Sequence, residues 1–176
     1  MLKSDAGDEA AEGRASYTEA MSSLSTEIPA HGLDQSGLSH LLGYQLVQAD
    51  IPLKKVFFKH IGGPLGLRPV EFTILVLLAF NPGITAKQLG QTLAVTAPHV
   101  TILLDRLSEK GWLERVRSEK DRRAQNIHLT PAGEKLARNA HQTSKTMEDD
   151  VLRHLSAGER AMLLELLQKV ARHRRV

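Results

Sequence analysis

From residue 38 onwards, apolar residues recur at the three- and four-residue spacing of amphipathic helices. The first such run covers residues 38–61, and Pro52 inside it is expected to kink the helix because proline lacks the amide hydrogen. Gly62-Gly63-Pro64 is expected to end this helix. A second run, residues 69–78, begins with proline and is apolar on nearly every side. It predicts a central, buried helix that stops at Asn81-Pro82-Gly83.

Two short helices are predicted next. Thr85 and Gln88 have the spacing of a capping box, which opens a helix of about eight residues. Thr96 is expected to cap a second helix, which continues to Lys110 and stops at Gly111. Val95 is expected to fill the turn between them, and the inner faces of the two helices carry the apolar residues Leu89, Leu93, Val100, Leu103, Leu104 and Leu107. This arrangement predicts a helix-turn-helix.

A charged hairpin follows the helix pair. Residues 113–117 and 126–129 have strand composition, and a turn at residues 118–124 joins them. Across residues 115–123 the hairpin holds five basic and two acidic residues. The pattern therefore predicts a mainly α fold with a small wing of two to three β-strands, which is a winged helix-turn-helix.

Two more helices are predicted after the hairpin. Thr130-Pro131 restarts a helix whose apolar stripe reaches Leu155. A second capping box, Ser156 to Glu159, opens the terminal helix. These stripes exceed what one small winged domain covers, which favours self-association through the C-terminal helices. Packing of the stripes within one chain is the alternative.

Charge divides the chain into two parts. Residues 1–36 hold two basic and seven acidic residues, a net charge of −5, whereas the other 140 residues hold 21 basic and 13 acidic groups, a net charge of +8. The first part predicts a disordered acidic extension, and residues 37–176 a single domain. The basic surplus fits a surface that binds a polyanion, although a role in solubility alone remains open.

Several classes of protein are excluded or disfavoured. The absence of cysteine excludes disulfides, thiolate metal sites and thiol catalysis. The eight histidines lack metal-ligand spacing, and no catalytic or phosphate-binding motif is present, so we expect no metal, no cofactor and no enzymatic activity. The longest apolar stretch, residues 72–80, is too short for a bilayer, and an N-terminus without a signal segment predicts a cytoplasmic protein.

DNA is the polyanion that a winged helix-turn-helix is built to bind. The second helix fits the major groove, and the basic wing can reach phosphates or the minor groove. Twelve residues are predicted to contact DNA: Thr85, Thr96, Ala97, Pro98, His99, Thr101, Ile102, Arg106, Arg117, Lys120, Arg122 and Arg123. Asp121 is expected to orient Arg106 or Arg123 by an ion pair, with a plain turn-forming aspartate as the alternative. A merely solvated wing is the alternative for the hairpin as a whole.

Four motifs of the wing region carry a resemblance to a known family. They are the run Leu104-Asp105-Arg106-Leu107-Ser108-Glu109-Lys110-Gly111-Trp112-Leu113, then Arg115, then Asp121-Arg122-Arg123-Ala124, and finally Leu129-Thr130-Pro131-Ala132-Gly133. Together they resemble the MarR (multiple antibiotic resistance regulator) family. The resemblance implies a homodimeric transcription regulator that reads a pseudo-palindromic operator in double-stranded DNA. It often implies repression relieved by a small anionic or aromatic effector.

The resemblance also implies a division of the domain. Residues 67–130 would form the DNA-binding lobe, and residues 37–63 and 131–176 the dimerisation region. An effector pocket would lie between the two, and the residues that could line it are Tyr44, Phe57, Phe58, His60, Arg68 and Phe72. The alternative is that the aromatic residues are core and Arg68 is a surface residue. An interaction or oligomerisation module without DNA specificity is the second candidate function, and the basic wing argues against it.

Overall fold

The computed structural model describes residues 33–117 and 125–173. The chain divides into two compact units, Met1–Ile51 and Pro52–Val176. The described part of the first unit contains a 3-10 turn, Ser36–Leu38, and the start of helix α1, Leu42–Phe57. Within this unit the Tyr44 hydroxyl donates a hydrogen bond to Oε1 of Gln35. The apolar pattern predicts that this helix begins at residue 38, but it begins at Leu42, four residues later.

The end of the first helical run differs from the prediction. α1 passes through Pro52 and is followed by a π-helical turn, Phe58–Gly62, and a short α-helical turn, Gly63–Leu65. The prediction that Gly62-Gly63-Pro64 ends the helix is wrong, because Pro64 lies in the first turn of the last segment, where its missing amide hydrogen is tolerated. Gly66, with φ of +63°, ends the run instead.

Helix α2, Pro69–Phe80, is central, as predicted. Ile74 and Leu78 belong to a larger apolar cluster, and Leu75 to a smaller one. We call these the larger core and the smaller core. The fully buried members of the larger core are Ile74, Leu78, Leu89, Val100, Leu103, Leu104, Leu107, Leu113 and Ile127. Those of the smaller core are Ile61, Leu67, Leu75, Ala137 and Ala140.

The predicted helix-turn-helix is formed by α3, Ala86–Leu93, and α4, Ala97–Glu109. The capping box is confirmed: the Thr85 hydroxyl accepts the Gln88 amide at 3.3 Å, and Gln88 Oε1 accepts the Thr85 amide at 2.9 Å. The turn between α3 and α4 contains Ala94, whose φ of +53° lies in the left-handed region that glycine usually occupies. Thr96 occupies the N-cap position of α4, but its side chain makes no capping hydrogen bond in the described structure.

The sheet has three antiparallel strands: β1, Ile84–Thr85, β2, Leu113–Arg117, and β3, Gln125–Leu129. Their order is β1-β3-β2, so that Ile127 pairs with Ile84 on one side and with Arg115 on the other. Ile127 and Leu113 point into the larger core. The predicted wing strands are confirmed, and the turn at 118–124 lies outside the described residues.

Two further helices, α5, Pro131–Ser144, and α6, Ala157–Arg172, complete the fold. α5 packs against α2. The expectation that the first of them continues to Leu155 is wrong, since hydrogen-bonded turns replace it after Ser144. The Ser144 hydroxyl donates to the His141 carbonyl at 2.8 Å, which competes with the backbone bond of a continuing helix. A longer helix would also bring Asp149 and Asp150 towards its negative C-terminal pole.

Within the described residues, no single helix is long and apolar enough to span a bilayer, although the adjoining helices of 42–65 and 69–80 meet those limits together as a bent pair.

Candidate nucleic-acid interface

Helix α4 has one buried face and one free face. Val100, Leu103, Leu104 and Leu107 are buried in the larger core, which fixes the helix on the body of the domain. The residues on the opposite side are exposed: Ala97, Pro98, His99, Thr101 and Ile102. Ile102 is 58% exposed, although it is a large apolar residue. A rigid helix with a fully accessible outer face has the shape that the major groove accepts.

The exposed residues of this helix differ in the hydrogen bonds left to them. Thr101 donates its hydroxyl to the Ala97 carbonyl at 3.1 Å, so its oxygen remains free to accept. His99 is exposed, and within the described ranges its ring nitrogens make no hydrogen bond. Arg106, in the last turn, is half-buried. Thr85 is half-buried and is committed to the cap of α3.

An ion pair that sequence reasoning missed joins α4 to the wing. Arg115 on β2 donates from its guanidinium to Oδ1 of Asp105 on the outer side of α4. The predicted pairing of Asp121 with Arg106 or Arg123 stays a prediction, since Asp121, Lys120, Arg122 and Arg123 lie outside the described residues. The backbone of Arg117 ends β2. Both Asp105 and Arg115 were in the motifs quoted above, but their spacing gave no sign that they meet.

Of the six predicted effector residues, the five that lie in the second unit do not all pack together. Phe57 and Phe72 pack edge to face with ring centroids 5.7 Å apart and lie against the smaller core. Phe58, His60 and Arg68 are exposed. Tyr44 belongs to the first unit. The contact between Phe57 and Phe72 agrees with the alternative that these aromatic residues are core.

A cavity of about 390 Å³ lies elsewhere in the second unit. It is lined by the end of α2, by β3 and by α5: Leu78, Ala79, Phe80, Pro82, His128, Leu129, Glu134, Ala137, Arg138 and His141. The rings of Phe80 and His141 meet edge to face at 5.1 Å, and Arg138 pairs with Glu134 at 3.2 Å. The cavity therefore combines apolar side chains with the imidazole groups of His128 and His141 and with the Arg138–Glu134 ion pair.

No pattern in the sequence indicated this cavity. Its lining residues come from three elements spread over residues 78–141, and only the folded topology brings them together. A second cavity of about 490 Å³ has amide-rich walls, with Asn81, Gln88 and Gln91 among its lining residues. In the part of the chain that the structure describes, no group of three or more histidine or acidic side chains is placed to hold a metal ion.

Comparison with known proteins agrees with this geometry. The family model of the MarR family matches residues 65–124. The multiple antibiotic resistance protein MarR of Salmonella typhimurium is 32% identical over 108 residues, which are 61% of this chain and 75% of MarR. Among solved structures, the transcriptional repressor CouR bound to a 23-mer DNA duplex is 34% identical, with a TM-score of 0.73 over 79% of this chain and 98% of CouR.

CouR has also been solved bound to p-coumaroyl-CoA. That structure is 31% identical, with a TM-score of 0.72 over 81% of this chain and 99% of CouR. The helix-turn-helix, the antiparallel wing strands and the helices on either side of them thus occur together, in the same order, in regulators of known structure. The chain belongs to the MarR family of transcriptional regulators.

Proposed function

We propose that this protein is a homodimeric, sequence-specific DNA-binding transcription regulator that represses its target until a small effector releases it. The observation that carries the proposal is helix α4, whose inner face is locked into the larger core while its outer face is wholly exposed. CouR, with the same fold and 34% identity, is bound to DNA.

In the proposed complex, the N-terminal half of α4 enters the major groove and the basic hairpin contacts phosphates or the minor groove. Residues 67–130 serve as the DNA-binding lobe, and residues 37–63 and 131–176 hold two copies together. Two copies present two α4 helices about one DNA turn, or about 10 base pairs, apart. The 23-mer duplex in the CouR structure is long enough for two such half-sites.

The proposed effector is a small aromatic acid or its thioester. CouR binds p-coumaroyl-CoA, and the 390 Å³ cavity of this chain offers the matching chemistry. An aromatic ring can lie against Phe80 and His141, and an acid oxygen can replace Glu134 as the partner of Arg138. A ligand that prefers another setting of the elements around the cavity would shift the population away from the DNA-binding form.

The protein would act by binding DNA and an effector rather than by catalysing a reaction. It also keeps the cytoplasmic location expected from the sequence, because that is where the operator would be reached.

The test is fluorescence anisotropy of the full chain against its own upstream intergenic DNA, with a shuffled duplex as competitor and a salt series. Binding that resists the competitor supports the proposal, and its absence even at low salt contradicts it. Titration of the complex with aromatic acids and their thioesters then tests the effector. Arg138→Met should lose the response to such ligands while it retains DNA binding, and Arg153→Met is the matched surface control.

A further inference from the structure

Glu71 is the one charged side chain that is fully buried among the described residues. It lies at the third position of α2, and the DNA-binding surface does not include it. A carboxylate removed from water is costly unless hydrogen bonds and an opposite charge compensate it. Its partners therefore indicate what it does.

Those partners come from two different helices. Glu71 Oε2 accepts the backbone amide of Arg68 at 2.9 Å, at the start of α2. Its two oxygens also accept from Nζ of Lys110 at 3.2 and 3.3 Å, across 39 residues of sequence. Lys110 is the C-cap of α4. The carboxylate thus stands at the positive end of one helix and the ammonium at the negative end of the other, and each charge favours its place.

Lys110 extends the connection to a third element. Its Nζ lies 4.5 Å from the centre of the Trp112 ring, a cation–π contact. Trp112 packs against both the larger and the smaller core. Its carbonyl accepts the Thr130 amide at 3.1 Å immediately before α5, and Gly133 of α5 lies directly on that carbonyl. One chain of contacts therefore links α2, α4 and α5.

We propose that Glu71, Lys110 and Trp112 form a joint that fixes the orientation of α4 relative to α5, and that Glu71 and Lys110 are positioning residues for specific DNA recognition. Apolar packing would hold the elements together as well, but it tolerates small rotations. The Glu71 carboxylate is buried, whereas the Lys110 side chain that pairs with it at 3.2 Å is 35% exposed. A rotation of α4 that lengthened this contact would leave the buried carboxylate without its opposite charge, which is costly. Specific binding needs both copies of α4 in register, whereas non-specific binding depends on charge alone.

The inference rests on the proposed function for its effect on DNA but not for its effect on geometry, so the two are tested separately. The chain has no cysteine, which allows spin labels to be placed at will. His99→Cys on α4 and Asn139→Cys on α5 are both exposed sites. Labelled chains diluted with unlabelled protein give the α4–α5 distance distribution within one chain, without DNA.

The variants to compare are Lys110→Met, which keeps the stem and removes the charge, and Lys110→Arg, which keeps the charge. Lys145→Met makes the same change at an exposed site of α5's C-terminus. We expect the distance distribution to broaden in Lys110→Met, to return towards the parent in Lys110→Arg and to be unchanged in Lys145→Met. If Lys110→Met does not fold, Glu71→Gln/Lys110→Met removes both charges together and answers the same question.

An unchanged distribution in the folded charge-removal variant would overturn the joint, whatever the protein does with DNA. Lys110→Met should bind the specific DNA site about tenfold more weakly than the parent and should bind shuffled DNA with nearly the same affinity. A tenfold change lies within the range measured for residues that share one network of hydrogen bonds and ion pairs. If the affinity for both duplexes fell equally and in proportion to a smaller folded fraction, the ion pair would contribute to stability only and not to the positioning of α4. A parent protein without specific binding would refute the proposed function and leave the distance measurement to decide the joint.

Discussion

At the scale of single residues, burial separates neighbours with nearly the same side chain. Ile102 is 58% exposed on the outer face of α4, while Leu103 is 4% exposed in the larger core. An exposed isoleucine gains nothing from the core, and it leaves an apolar group where the helix is proposed to meet DNA. A thymine methyl is the base feature that such a group can contact.

Ile102→Ala is therefore expected to weaken DNA binding without a loss of stability, whereas Leu103→Ala is expected to lower the stability of the fold. Ile102→Ala should leave the free energy of unfolding within about 0.5 kcal/mol of the parent, as for exposed sites, but weaken binding to operators with thymine at the contacted position. Leu103→Ala should cost about 2–5 kcal/mol, because it opens a cavity. Denaturant unfolding and anisotropy on thymine-substituted duplexes measure the two effects. A large loss of stability from Ile102→Ala would show that the residue is part of the core.

Gly133 carries a second prediction at this scale. A Cβ built there would lie 1.8 Å from the Trp112 carbonyl oxygen, a backbone atom that cannot rotate away. Gly133→Ala should thus destabilise the protein by about 3 kcal/mol or more, at the upper end of overpacking. Gly158→Ala is the matched control, because nothing lies within 4 Å of its Cβ position in the first turn of α6. It should be neutral or stabilising by up to about 1 kcal/mol. Thermal unfolding of both variants decides, and equal melting temperatures would contradict the close approach.

At the scale of elements, local chemistry was predictable and long-range pairing was not. The capping boxes at Thr85 and Ser156 were found from spacing, because the cap and its partner are three residues apart. The winged helix-turn-helix followed from apolar periodicity and turn residues. The end of α5 was missed, because the competing Ser144 hydrogen bond leaves no apolar signature. The pairs Asp105–Arg115 and Glu71–Lys110, like the cavity on α5, depend on tertiary contact.

The cap of α6 makes the stability of this helix depend on pH. The Ser156 hydroxyl and then its backbone amide donate to Glu159, which lowers the pKa of that carboxyl below its ordinary value of 4.5. A lowered folded pKa stabilises the folded state fully above pH 4.5 and loses that contribution as the pH falls through the lowered value. Glu159→Gln should therefore show a smaller loss of helix stability than the parent below pH 4.5.

This dependence can be measured by thermal unfolding followed by circular dichroism at pH values from about 6 to 3. A carboxyl group whose pKa is lowered titrates within this range. Gln168→Ala changes an exposed, uncharged side chain of the same helix outside the cap, and its stability should depend on pH as that of the parent does. If Glu159→Gln follows the parent at every pH, the capping carboxylate does not contribute to the stability of α6.

At the scale of the whole molecule, apolar surface and charge indicate two different partners. The basic surplus of residues 37–176 favours DNA, whereas α6 presents a row of apolar side chains that the other described residues leave exposed. These are Met162, Leu163, Leu164, Leu166 and Val170, each 44–55% exposed. Leu42, Leu46, Val47 and Ile51 in the first part of α1 are exposed as well. A second copy is the partner that the proposed dimer requires for these apolar side chains.

Dimerisation through α6 leads to a prediction that connects assembly with DNA affinity. Leu166→Glu places a charge in the middle of the apolar row and should shift the protein to monomers, since an unpaired charge would have to be buried in the interface. Gln168→Glu adds the same charge at an exposed polar position of the same helix and should leave the dimer intact. Sedimentation velocity measures the assembly state of both variants.

The same two variants separate the contribution of the dimer from that of a single lobe. A monomer offers one α4 and one wing, so Leu166→Glu should bind a full operator with the affinity of a half-site and with about half the parent's salt dependence, because it neutralises half as many phosphates. Gln168→Glu should match the parent in both respects. A monomeric Leu166→Glu that retained full affinity and full salt dependence would mean that one lobe reads the whole site. In that event the apolar face of α6 would not be the interface that sets the distance between two α4 helices on DNA.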